Sequence, residues 1–177
     1  IASLAGLPCL EELAIERMPL EDEVVAAIAG LRNLRYLCIH GPDPSQSLEF
    51  TPRQMEQLAS LGRLDALLLY NWKISDAAMQ KVPRQVQSLV LGQDRVSPAG
   101  IASLVRLSRL RAICWMGATD AGLEAAKLGL VRKLPFEYVD WRFGGTTPEA
   151  WSAFHTASAL RGLAVRYERD TVSEVVK

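Results

Sequence analysis

This sequence is poor in the residues that metal sites, disulfide frameworks and membrane contact require. Its 177 residues include two histidines and three cysteines, and Cys9, Cys38 and Cys114 form no C-x-x-C pair. A zinc site needs three or four converging ligands, and a stapled secreted fold needs cysteines that pair, so no metal, cofactor or disulfide framework is expected. No charge of one sign dominates either: 20 basic residues stand against 20 acidic ones. Nucleic-acid binders need a basic stripe for phosphates and peripheral membrane proteins a polybasic patch, so neither nucleic acid nor membrane is expected as a partner. No apolar run reaches the roughly 18–20 residues that span a bilayer. There is no N-x-Ser/Thr sequon and no signal peptide. Gly144-Gly145 stands before a helix start without the lysine of a phosphate-cradling loop. Unpaired cysteines without a signal peptide favour a reducing, cytoplasmic compartment. The chain opens inside a repeating pattern, so we expect a piece of a longer protein.

What is present is a globular composition, 49% hydrophobic and 23% charged, in a length that suits one domain with a real core. The segment Ile1-Ala2-Ser3-Leu4 returns as Ile101-Ala102-Ser103-Leu104, and repeats of this kind precede any motif search. Seven segments share the form L-x-x-L-x-L. Their middle positions are Leu13, Leu37, Leu67, Leu89, Ile113, Val139 and Leu163. These step by about two dozen residues, and four steps account for the echo. Alternating apolar residues predict a strand in each unit. After it, Thr51, Ser75, Ser97, Thr119 and Thr147 each precede Pro or Asp. A hydroxyl there can accept a free backbone N–H while proline forfeits no needed donor, so a helix of two to three turns is predicted from each. A lone unit cannot bury its apolar side; stacked neighbours supply the core. Parallel strands sit about 4.8 Å apart and packed helices about 8–10 Å, so the strand side should be concave.

The pattern resembles the leucine-rich repeat family, in particular the 24-residue bacterial kind with a helix start like Thr119-Asp120-Ala121-Gly122-Leu123. The resemblance covers nearly the whole chain. It implies an α/β, right-handed solenoid of about seven repeats, a single domain over residues 1–177, with a parallel concave sheet and short helices on the convex side. It also implies a binding scaffold. The chain departs from the family at one turn position: where Asn or Cys is usual it holds Met18, Pro42, Trp72, Asp94, Ala118, Gly144 and Glu168. Backbone or water must then satisfy those turns, and a looser solenoid is expected.

Outward strand positions define the candidate site. Alternate residues share a face, which gathers Tyr36, Leu68, Tyr70, Met116, Tyr138, Arg142 and Arg166 around an apolar centre of small side chains. Aromatic and arginine anchors around an apolar middle are typical of protein-binding surfaces; a sheet face is also apolar simply because strands favour such residues. Two functions are therefore carried forward. One is a scaffold that binds a protein on its concave face. The other is a spacer or regulatory arm of a larger enzyme or secreted effector. Catalysis within the chain is not expected. Cys38, His40 and Asp43 lie together without a third orienting group or oxyanion donor, and His155 falls in a helical segment. Glu11, Arg35, Asp65, Gln87, Arg111, Glu137 and Arg161 form a row of mostly alternating sign, read as a cross-strand ladder. Cys38 and Cys114 are three strands apart, about 14 Å, too far for a disulfide. The extra residues in the Pro-rich segment 40–50 make a loop that either binds or is merely tolerated.

Overall fold

The computed structural model describes residues 6–18, 20–42, 48–91, 96–115, 121–143 and 148–167, and at 121–123, 141–143, 148–151 and 165–167 the backbone alone. Strands β1 (Glu12–Glu16), β2 (Tyr36–His40), β4 (Ala66–Tyr70), β6 (Ser88–Leu91), β7 (Ala112–Trp115), β8 (Tyr138–Phe143) and β9 (Gly162–Tyr167) form one parallel sheet, ordered as they occur in the chain. Strands β3 (Glu49–Phe50) and β5 (Lys73–Ile74) form a second parallel pair. Helices α1 (Asp22–Ala29), α2 (Pro52–Leu58), α3 (Asp76–Met79), α4 (Pro98–Ser103), α5 (Ala121–Lys133) and α6 (Pro148–Thr156) connect the strands, and each packs on the next.

The register is the one the leucine spacing predicts. Leu13 pairs with Leu37, Leu37 with Leu67, Leu67 with Leu89, Leu89 with Ile113, Ile113 with Val139, and Val139 with Leu163. A slip by one residue would turn every core leucine outward, so burial enforces this alignment. At each step the carbonyl after the first core residue accepts two N–H groups from the next unit. Glu11 O, for example, receives Arg35 N at 2.7 Å and Tyr36 N at 3.0 Å.

One hydrophobic core runs the length of the described chain, from Leu20 to Phe154. Strand residues such as Leu37, Leu67, Leu89 and Val139 are fully buried, as are Ile28, Leu58 and Ile101 from the helices. Each contributes roughly 1.5–3 kcal/mol of transfer free energy, before conformational entropy is set against it. The matching positions at the two ends, Leu13 and Leu163, are only half-buried.

Helix starts realise the predicted chemistry unevenly. Thr51 makes a full capping box with Gln54: its hydroxyl accepts Gln54 N at 3.2 Å, and Gln54 Oε1 accepts Thr51 N at 2.9 Å. Ser97 accepts Ala99 N at 3.1 Å. Ser75 occupies the N-cap of α3 without a side-chain cap bond, and α3 is a single turn of four residues, shorter than expected. Thr119 and Thr147 lie outside the described residues.

Units are stitched together by side chains as well as backbone. Gln54 Nε2 donates to Leu20 O at 2.9 Å, and Asp76 accepts Ser97 N at 2.7 Å and Ser97 Oγ at 2.5 Å. A Cβ at Gly100 would strike that Asp76 carboxylate and the Val96 methyl. After the strands the backbone carries the ladder: Arg17 N donates to His40 O at 3.1 Å and Gly41 N to Tyr70 O at 2.8 Å. Asn71 turns there in the left-handed region, φ 59°. Its carbonyl approaches so closely that a Cβ on Gly41 would lie 2.7 Å away. Of the two expected substitutes for the missing Asn ladder, backbone or water, backbone supplies the bonds at these turns. Trp72, at one of the missing Asn positions, instead fills the core and meets Phe50 edge-on at 5.7 Å. The segment 43–47 of the Pro-rich insertion lies outside the described residues. Strand β3, at the far end of that insertion, is an element the repeat pattern does not predict.

Candidate partner-binding face

Three rows of outward side chains cross the sheet. The first contains Glu12, Tyr36, Ala66, Ser88, Ala112, Tyr138 and Gly162, all aligned by register. Its two tyrosines are the large exposed groups, Tyr36 at 36% and Tyr138 at 42%. They stand four strands apart, about 19 Å, with Ala66, Ser88 and Ala112 between them half-buried. The result is a shallow floor of small side chains with a phenol at either end. The Tyr138 ring lies over the backbone of β9, where a Cβ on Gly162 would come within 2.7 Å of it. Only glycine leaves room for that ring as it stands.

The second row is Ala14, Cys38, Leu68, Val90, Cys114, Asp140 and Ala164. Leu68 and Val90 are half-buried, whereas Cys38, Cys114 and Asp140 are buried although they point to this side. Neighbouring strands 4.8 Å apart leave little of a short side chain exposed when larger groups flank it. The third row brings His40 beside Tyr70, with rings stacked at 4.3 Å and 20°, and sets Arg142 beside Arg166 in register. The arginines are described by backbone only. Met116 lies outside the described residues. Of the seven candidate residues, Tyr36, Leu68, Tyr70 and Tyr138 therefore share one described face.

Electrostatics at this face favour neutral groups. Burial pushes the Cys38 thiol above its ordinary value, helped by Glu16, while a hydrogen bond with Tyr36 opposes the shift. The Tyr36 phenol is raised too, mainly by burial and then by Cys38. His40 is occupied by its stack on Tyr70, and Asp43 lies outside the described residues. No group of three His, Cys, Asp or Glu side chains is arranged for a metal among the described residues. None of the three cysteines is in a disulfide. His155 is exposed on α6.

The charged row before the strands is partly realised. Arg35 binds Asp65 through Nε at 2.9 Å and Nη2 at 2.7 Å, and Gln87 donates to the other Asp65 oxygen at 2.9 Å. That carboxylate bond holds the Arg35 guanidinium above its ordinary value. Arg111 does not continue the ladder to Glu137; it donates to Ser108 O and Leu110 O.

Among the solved structures the chain is similar to is the crystal structure of a TLR13–ssRNA13 complex. The TM-score is 0.55 at 15% identity over 93% of this chain. The fold is leucine-rich-repeat-like. The match spans 26% of that chain, so this chain corresponds to about a quarter of it. No family model matches the sequence, and no curated protein does. At this identity the likeness speaks to fold alone. Among the described residues no helix is long and apolar enough to cross a membrane.

Proposed function

We propose that this chain is a right-handed solenoid of about 24-residue, bacterial-type leucine-rich repeats that acts by binding rather than catalysis. In this reading its sheet is concave and receives a protein partner through Tyr36, Leu68, Tyr70, Met116, Tyr138, Arg142 and Arg166. The observation that carries it is the pair of exposed tyrosines at either end of a floor of small, half-buried side chains. Tyrosine offers large contact area at low entropic cost, and small residues between two such anchors let a partner's side chains reach the sheet. A raised Cys38 thiol, protonated at neutral pH, supports binding over nucleophilic chemistry. Cysteines outside any disulfide support a reducing compartment.

The test compares capture by wild type and by Tyr36→Ala/Tyr138→Ala from a nuclease-treated lysate, with circular dichroism showing both folded. Each lost anchor should weaken a true partner by about 1–2 kcal/mol or more, enough to remove it after washing. Identical capture by both proteins defeats the concave-face reading and favours a spacer or regulatory arm. A ligand that disappears with nuclease treatment would be RNA, against the expectation of a protein.

A further inference from the structure

The strands of the main sheet other than β8 are entered through the same tight turn, four of them in succession from β2 to β7. Leu34 N donates to Leu31 O, Leu64 N to Leu61 O, Val86 N to Pro83 O and Leu110 N to Leu107 O, all at 2.9–3.3 Å. Four successive turns therefore place their central residues in one row along the sheet edge. Those tips carry Arg32, Arg63, Arg84 and Arg109, all exposed, and Arg35 and Arg111 come next at the strand entries. Across these four turns six arginines face a single acid, Asp65, which Arg35 and Gln87 already occupy. Among the described residues Arg32, Arg84 and Arg109 make no ion pair. Glu11 and Glu137 stand at the two ends of this strand-entry row, beside Arg35 and Arg111, and further acids, Glu12, Glu16, Glu21, Asp22 and Glu23, cluster around β1 and α1.

Two cavities open along the arginine row. One of about 300 Å³ is lined by Gln87, Arg109 and Arg111. The other, about 360 Å³, has Arg84, Arg106, Lys81 and Gln85 in its wall. Lys81 is neutralised by Glu56 at 2.9 Å, and Arg106 is held by Met79 O and Val82 O. Burial lowers the Arg106 pKa, and the charge of Arg84 lowers it further. An anion seated between these two cations would relieve that repulsion.

We propose that this arginine row is a second binding surface, for an extended acidic peptide segment rich in Asp and Glu. Guanidinium groups suit carboxylates by geometry as well as charge, since the planar fork can bind both oxygens. Three turn spacings of about 4.8 Å make a span near 14 Å, which about five residues of extended peptide cover. Single-stranded nucleic acid fits less well. It gains much of its affinity from stacking on aromatic rings, and residues 31–35, 61–65, 83–87 and 107–111 contain no Phe, Tyr or Trp.

The experiment measures anisotropy of a dye-labelled peptide of alternating Glu and Ser, a dozen residues long, against a poly-U RNA of the same length. Wild type should bind the peptide in low salt and release it as salt screens the charges. Arg84→Glu/Arg109→Glu should weaken peptide binding by roughly tenfold or more, whereas Tyr36→Ala/Tyr138→Ala should leave it unchanged. The second comparison separates this surface from the sheet face. If charge reversal costs the protein its fold by circular dichroism, the neutral pair Arg84→Gln/Arg109→Gln gives the reading, with loss of affinity still expected. No peptide binding in low salt, equal binding by the folded arginine variants, or tighter binding of RNA than of peptide would each overturn the proposal.

Discussion

A thiol two residues from an imidazole on one strand face looks like a nucleophile beside its base until burial is considered. Cys38 is 8% exposed and its pKa is raised above the ordinary 9.0 by desolvation. The folded chain thus holds the thiol proton more tightly than the unfolded chain does. Cys38 therefore stabilises the fold fully below pH 9.0, and that contribution drains away as pH rises through the folded value. Tyr36 acts in the same direction from its ordinary 10.0 upward. Urea midpoints for wild type should therefore fall more steeply between about pH 8 and about pH 10 than those of Cys38→Ala. Parallel falls in the two proteins would mean that Cys38 ionises as freely in the fold as outside it. The sequence placed this side chain on the outer face correctly. It could not reveal the burial, which depends on how flanking strands crowd a short side chain.

Helix starts show how much of an element is legible locally. A hydroxyl followed by Pro or Asp is visible in the sequence at both Thr51 and Ser75, yet only Thr51 closes its box. The difference lies three residues on. Gln54 can reach back to the Thr51 N–H while its Nε2 reaches Leu20 O, whereas α3 has Ala78 at that place and ends after four residues. Asp76, the first residue of α3, is drawn off to hold Ser97 in the next unit. Thr51→Ala should cost about 1 kcal/mol of unfolding free energy, and Ser75→Ala should stay within about 0.5 kcal/mol of wild type. Equal losses in chemical denaturation would show that the Thr51 box adds nothing beyond the N-cap position itself. Strand β3 escaped prediction for a related reason. Two residues carry no periodicity, and Glu49-Phe50 becomes a strand only because Lys73-Ile74 lies beside it.

At the scale of the whole molecule, the leucine spacing determines which residue faces which across all six pairings, because a repeated burial pattern admits one register. Formal charge behaves differently. A net value of zero argued against any basic stripe, but a sum discards position, and stacked turns collect arginines that are 20 or more residues apart in the chain onto one edge. The stacking also makes stability directional, since each unit packs on its neighbours and, among the described strands, β1 and β9 each pair on one side only. Leu67 is fully buried on a central strand, while Leu13 on β1 and Leu163 on β9 are half-buried at the same register position. Leu67→Ala should cost about 2–5 kcal/mol and lower the midpoint of the entire transition. Leu13→Ala and Leu163→Ala should cost less, and their effects should stay local. Amide hydrogen exchange reads the difference: faster exchange confined to β1 for the first and to β9 for the second, against loss of protection across β2 to β8 for Leu67→Ala. Uniform acceleration in all three variants would mean that the sheet opens as one cooperative unit, with the ends coupled to the centre as strongly as the centre is to itself.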